Sequence, residues 1–219
     1  MYNLNCYNWN NVVPKQYIWE ITCGYHAIRN AVIFYRILIQ INDTNKYLKS
    51  IYENQNFQIL KSEHAMIDQI KKYQLITKKR GNISSKELNM LKDKFYSNYP
   101  IQILYDFENV NLNLKDNDIK ILIIHRDNYK ISKHWIPIVI HKFRNNINLH
   151  ILDSFESTWY GTELINNLIN KIKKQHQNIK INCNNNSIDN FIKMSFSKMI
   201  DLSILVIFLF LIIYVSFKN

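Results

Sequence analysis

Cys23 is the residue of this sequence best placed to do chemistry, because a helical pattern from Cys23 to about Gln40 begins at it. The free N–H groups and the dipole at the N-terminus of a helix favour the thiolate, which is the reactive form of cysteine. Gly24 follows directly, and its missing side chain predicts space for a substrate backbone to approach. A buried structural cysteine is the alternative, and it fits Cys23 when this residue is taken alone.

A thiolate nucleophile needs an imidazole partner, and the imidazole needs a third group to orient it. His134 opens one strand of a predicted antiparallel hairpin and Asp153 closes the other, with a turn at about 144–148. The start of one strand lies near the end of its partner in such a pair, so we expect the two side chains to meet. A turn at this place would leave Asp153 a few residues out of line with His134, so we expect a bulge or a strong twist in the hairpin.

Three further residues belong to this candidate site. Gln16, seven residues before Cys23, is predicted to donate its side-chain amide to a developing oxyanion together with the N–H of Cys23. His26 is a rival base, but it lies on the same helix as Cys23 and is poorly aimed at the sulfur, which favours a packing role. Trp135 either shields the imidazole of His134 from water or belongs to the core.

Other chemistries are poorly represented in the sequence. It contains no GxSxG, P-loop or HExxH motif, and the other histidines lack a carboxylate at metal-binding spacing. We therefore expect neither a metal nor a cofactor. The net charge of +11 comes from scattered lysines, so nucleic-acid binding is not expected.

The three cysteines, Cys6, Cys23 and Cys183, are far apart and include no CxxC pair. This spacing suggests neither a disulfide framework nor a structural zinc site. A reducing compartment is the simpler expectation.

The hydropathy of the chain divides it into a main domain and a tail. Its 219 residues, 47% apolar with three glycines and three prolines, predict one compact domain at 1–196. Residues 202–217 carry no charge, and we predict a C-terminal membrane anchor at 197–219. The alternative is a buried core helix or a pair of strands. The basic residues before the anchor predict a tail-anchored membrane protein whose main domain faces the cytosol.

The elements of the main domain predict an α+β fold, with helices first, then a sheet, then a further helix. The predicted helices after the first are 62–73, 84–95 and 162–174, and Ser84 and Glu87 fit a capping box. The predicted strands are 101–105, 119–125, 135–141 and 149–152, and residues 178–190 are predicted to form a surface loop.

The order Gln16, Cys23, His134 and Asp153 resembles that of the papain-like cysteine peptidases, most closely those acting on ubiquitin or its relatives. CGYHAIRN and the later HW pair are similar to motifs of the Josephin-type deubiquitinases. HWIPIVI, LHILDS and VVPKQYIWEITCG are similar, in permuted order, to those of the SUMO-type ubiquitin-like proteases. The resemblance implies a central N-terminal helix packed on an antiparallel sheet.

The resemblance also implies roles: Cys23 as nucleophile, His134 as general base, Asp153 as its orienting group and Gln16 as oxyanion donor. The implied activity is that of a cysteine-dependent peptidase or isopeptidase that removes ubiquitin or a ubiquitin-like modifier from proteins, without a cofactor. A catalytically inactive, tail-anchored interaction protein of the same fold is the alternative.

Overall fold

The computed structural model describes residues 2–15, 22–43, 45–105, 110–127, 133–154, 158–176 and 178–183. All of them lie in one compact unit that ends at Cys183. Within these ranges the fold is α+β, with six helices and six strands. In chain order the elements are β1 (Tyr2–Asn8), α1 (Cys23–Leu38), α2 (Tyr47–Glu53), α3 (Gln55–Lys61), α4 (Glu63–Thr77), α5 (Ser85–Phe95), β2 (Ile101–Leu104), β3 (Ile119–Asp127), β4 (Lys133–Phe143), β5 (Asn146–Ile151), α6 (Thr158–Gln175) and β6 (Ile179–Asn182).

The strands form a single sheet in the order β2-β3-β4-β5-β1-β6. Strand β4 pairs antiparallel with both β3 and β5, and the other pairings are parallel. The sheet is therefore mixed, and the expectation of an antiparallel sheet is wrong. Its antiparallel centre, β3-β4-β5, is the part that carries His134 and leads to Asp153.

Helix α1 lies at the centre of one layer. All of its residues except Tyr35 and Arg36 are buried, as expected for a helix that is apolar on most of its faces. It packs on β3 and β4 on one side and on α3, α4 and α5 on the other. A helix enclosed in this way gives the residues at its N-terminus a fixed position.

A second core lies on the opposite face of the sheet, because side chains alternate along each strand. Leu168, Ile169 and Ile172 of α6 pack there against the even-numbered positions of β4, such as Ile136 and Ile138. The odd-numbered Trp135 faces α1 instead, where it lies beside Gly24. The sheet is thus covered on both faces, which agrees with its isoleucine-rich strands.

Two strands were missed by the sequence analysis. Strand β1 inserts between β5 and β6, although alternation of Tyr2, Leu4 and Cys6 with asparagines is a strand signal. Strand β6 corrects the loop predicted at 178–190, whose first residues pair with β1.

The pairing of these strands also corrects the expectation that the cysteines form no disulfide. The register of β1 and β6 ends at Asn5 opposite Asn182, so the next residues, Cys6 and Cys183, are neighbours. Their Cα atoms are 4.6 Å apart and their sulfurs are bonded, a spacing within the range of disulfides. The two cysteines are 177 residues apart in the sequence, so no local pattern indicated that they pair.

The other predicted elements agree with the structure to within a few residues, and the capping box at Ser84 and Glu87 is confirmed. The short helices α2 and α3 were not predicted. Within the described ranges, no helix combines the length and apolar character needed to cross a membrane. The anchor predicted at 197–219 lies outside those ranges.

Candidate active site

Cys23 is the first residue of α1, takes no part in the disulfide and is only 4% exposed. The N–H groups of a first helical turn have no partner within the helix. The side chain of Thr22 does not cap them, and the first turn holds no acidic residue. The positive end of the helix dipole therefore acts on the Cys23 sulfur without a neutralising carboxylate in that turn.

His134 stands near the start of β4, and its side chain is 17% exposed. The next residue, Trp135, is buried and donates its indole N–H to the backbone oxygen of Ile83 at 3.0 Å. This bond fixes the start of β4 against the segment that precedes α5. The Cys23 thiol lies close enough to the His134 imidazole to favour the protonated ring and so to raise its pKa.

Asp153 follows β5 and accepts a hydrogen bond from Nε2 of His134 through Oδ1 at 2.7 Å. The β4–β5 register pairs Ile138 with Ile151, so its continuation places Asp153 opposite Ile136. His134 is two positions farther along β4, at the end of the strand, so the two residues are diagonal neighbours in the ladder. Diagonal neighbours of this kind lie close enough for polar side chains to meet.

The bulge or strong twist expected between His134 and Asp153 is therefore not required. Only Arg144 and Asn145 connect β4 to β5, and this turn is shorter than the predicted one. With the shorter turn, His134 and Asp153 are two positions out of register in a regular β4–β5 ladder. Their side chains can therefore meet without a bulge.

The electrostatics of His134 follow from its two partners. Burial alone would lower its pKa, but the hydrogen bonds and negative charges of Asp153 and Cys23 outweigh it and raise the pKa to about 10. With Nε2 bonded to Asp153, Nδ1 is the nitrogen that remains for the sulfur. A protonated imidazole at neutral pH can stabilise a thiolate and later donate a proton.

The three side chains thus form a continuous Cys–His–Asp arrangement in the described part of the chain. No protein-family model, curated protein or solved structure matches this chain. Acyl transfer through a thiol is the chemistry that these contacts can perform.

The expectation that Gly24 leaves room for a substrate is wrong. A Cβ atom at Gly24 would lie 2.5 Å from Cγ1 of Ile83 and 3.2 Å from the Trp135 ring. Gly24 therefore allows α1 to pack closely on these two side chains. Trp135 also contacts the rings of Tyr105 and His125, which places an aromatic cluster beside Cys23 with Tyr105 exposed to solvent.

His26 is buried, and neither of its ring nitrogens has a hydrogen-bond partner among the described residues. Burial, Arg29 and His134 lower its pKa to about 4, so it is neutral at neutral pH. This environment agrees with the packing role expected for it. Gln16 lies outside the described residues, and within those residues no cluster of side chains could hold a metal ion.

Asn30 was missed by the sequence analysis. It is fully buried in α1 and donates from Nδ2 to the backbone oxygen of Leu152, the residue before Asp153, at 3.5 Å. A polar residue two turns after the candidate nucleophile, on the same side of the helix, is the signal that could have identified it.

Proposed function

We propose that the protein is a cysteine-dependent peptidase or isopeptidase of papain-like fold, in which Cys23 is the nucleophile. The observation that carries the proposal is the set of contacts from Cys23 to His134 and from His134 to Asp153. Further support comes from the place of Cys23 at the N-terminus of a buried helix that packs on the sheet bearing His134.

The reaction would begin with attack of the Cys23 thiolate on the carbonyl carbon of a peptide or isopeptide bond. The backbone N–H of Cys23 and the amide of Gln16 would stabilise the oxyanion. The His134 imidazolium would give its proton to the leaving amine, and an acyl-enzyme would remain on the sulfur. His134, now neutral, would take a proton from water as water attacks the thioester, and Asp153 would orient the ring throughout.

Ubiquitin or a ubiquitin-like modifier is the substrate class that we propose. The support is the similarity of CGYHAIRN, HWIPIVI and LHILDS to motifs of proteases that act on these modifiers. A surface with a net charge of +11 also suits an acidic protein substrate.

A panel of ubiquitin-like modifiers carrying a C-terminal electrophile tests both the chemistry and the substrate class. We expect one modifier to form a covalent adduct with the unchanged protein, and mass spectrometry to locate it on Cys23. The C23S variant should form none, whereas the C6S/C183S double variant keeps Cys23 and should still react. Absence of an adduct with every modifier would contradict the proposed substrate class, and an adduct outside Cys23 would contradict the nucleophile.

We also propose that residues 197–219 anchor the protein in a membrane. The support is the uncharged run at 202–217 and the basic residues before it. Deletion of the chain after Ile200 should move the protein from the membrane fraction to the supernatant. A truncated protein that still sediments with membranes would contradict the anchor.

A further inference from the structure

The end of β5 lacks one hydrogen bond that a regular ladder would contain. The N–H of Leu152 donates to the backbone oxygen of Pro137 at 3.1 Å, which identifies Pro137 and Leu152 as a hydrogen-bonded pair of the antiparallel ladder. Residues of such a pair normally exchange two N–H···O bonds. Proline has no N–H, so Pro137 cannot return the second bond and the oxygen of Leu152 needs another donor.

Asn30 supplies that donor. Its Nδ2 lies 3.5 Å from the oxygen of Leu152, and its side chain is fully buried. The orientation of the amide is determined by Arg29, whose Nη1 donates to Oδ1 of Asn30 at 2.9 Å. A guanidinium can only donate, so Oδ1 must face Arg29 and the NH₂ group must face Leu152.

Arg29 is itself held by the helical layer. Its guanidinium donates to the backbone oxygens of Ile59, Leu60 and Ser62, at the C-terminal end of α3. These acceptors carry the partial negative charge of a helix C-terminus, which suits a cation. The amide of Asn30 is therefore fixed by a buried network that does not include the candidate catalytic residues.

Asn30 also links the two halves of the candidate site. It lies seven residues after Cys23, and a spacing of two helical turns places both residues on the same side of α1. Leu152, which Asn30 holds, directly precedes Asp153. The helix that carries the nucleophile is thereby joined to the segment that carries the orienting carboxylate.

We infer that Asn30 is a positioning residue, which replaces the ladder bond lost at Pro137 and so holds Asp153 in place to orient His134. This inference rests on the proposed cysteine hydrolase function. Without the bond from Asn30, the Leu152–Asp153 segment loses one of the hydrogen bonds that hold it on the fold, and the contact of Asp153 with His134 weakens.

The test compares the N30L, N30D and N30L/P137V variants of the full chain. N30L removes the donor. N30D removes it too, but retains the volume of the side chain and the oxygen that Arg29 binds. In N30L/P137V, the valine supplies a backbone N–H opposite the Leu152 oxygen, so the second ladder bond can form without Asn30.

The first measurement is the pH titration of the His134 ring by NMR, which needs no substrate, with folding checked by circular dichroism. His134 should titrate at lower pH in N30L and N30D than in the unchanged protein, and the value should recover in N30L/P137V. With a reactive substrate, kcat should fall about tenfold in N30L at nearly unchanged KM, as expected for a small misplacement of catalytic groups, and should recover in the double variant.

A folded N30L or N30D variant in which His134 titrates as in the unchanged protein would overturn the inference. Failure of P137V to restore the titration in folded N30L would overturn it as well. If N30L does not fold, N30D decides the question, and recovery of folding in N30L/P137V would support the replaced ladder bond. The titration is valid even if no substrate is found, so failure of the proposed function and failure of this inference are distinguishable.

Discussion

At the scale of single residues, His134 connects the whole candidate site. Its ring is hydrogen-bonded to Asp153 and interacts with Cys23, and these two partners raise its pKa to about 10 in spite of burial. The raised value means that the folded protein binds the His134 proton more tightly than the unfolded chain does. His134 therefore adds stability that is fully present below pH 6.5 and is lost as the pH rises through about 10.

Replacement of Asp153 by asparagine should move the alkaline limb of the activity profile. The D153N variant loses the carboxylate that stabilises the imidazolium, so kcat/KM should begin to fall at a lower pH than in the unchanged protein. The measurement is kcat/KM between pH 5 and pH 11. D93N, which removes an exposed carboxylate of α5, serves as control and should keep the original limb. An alkaline limb that is identical in D153N would show that Asp153 does not act on His134.

At the scale of elements, helix ends and strand ends position the functional groups. Helix α5 starts at the capping box, where Glu87 Oε2 accepts from the Ser84 N–H at 2.7 Å and Glu87 Oε1 pairs with Lys79 Nζ at 2.8 Å. The bonds from Lys79 and Ser84 lower the pKa of Glu87 to about 2. Its contribution to stability is present above about pH 4.5 and is lost as the pH falls through about 2.

The E87A variant should lower the free energy of unfolding by about 1 kcal/mol, because the N-terminus of α5 loses its cap. Urea unfolding at pH 7 measures the change. E53A is the matched control, because Glu53 makes an exposed pair with Lys49 and such pairs contribute little. Equal unfolding midpoints for E87A and E53A would contradict a structural role of the capping box.

Helix α1, the strands β3 and β4 and the capping box could all be predicted from the sequence, because each depends on a local pattern. The position of β1 in the sheet could not be predicted, because its partners β5 and β6 are more than 135 residues away along the chain. The contact of His134 with Asp153 was expected, but its register depends on a turn of two residues. The role of Asn30 could not be predicted, because it depends on the pairing of Pro137 with Leu152.

At the scale of the whole molecule, buried histidines make stability depend on pH. Trp9 donates to Nδ1 of His150, so neutral His150 donates from Nε2 to the Tyr47 hydroxyl, which in turn donates to Nδ1 of His141. Protonation of either histidine in this chain of hydrogen bonds would break one of the bonds. Burial lowers the pKa of His141 to about 4 and that of His150 well below its usual value.

The folded protein should therefore be labile to acid. Because His26, His141 and His150 all have lowered pKa values, the unfolded chain takes up protons below pH 6.5 that the folded protein does not. Each should reduce the free energy of unfolding by up to about 1.4 kcal/mol per pH unit between about pH 6.5 and pH 4. Urea unfolding across this range measures the slope.

The H141N variant should reduce that slope, because it removes one of the groups that titrates only on unfolding. H64N is the control, since His64 is exposed, and it should leave the slope unchanged. The same slope in H141N as in the unchanged protein would contradict the buried neutral state of His141.

The disulfide between Cys6 and Cys183 should stabilise the whole fold, because it closes a loop of most of the described chain. Loss of such a cross-link costs about 2–4 kcal/mol. A thiol reductant should lower the Tm of the unchanged protein and should have no effect on the C6S/C183S variant. An intact mass that corresponds to three free thiols before reduction would contradict this bond.

The central claim is that Cys23 is an activated thiol, and its alkylation by iodoacetamide as a function of pH tests this claim most directly. We predict that Cys23 of the folded protein reacts at pH 6 faster than in the urea-unfolded chain, and that the H134Q variant loses this advantage. Peptide mapping assigns the label to Cys23. Alkylation of Cys23 that is no faster in the folded protein than in the unfolded chain, or that is unaffected by H134Q, would contradict the account.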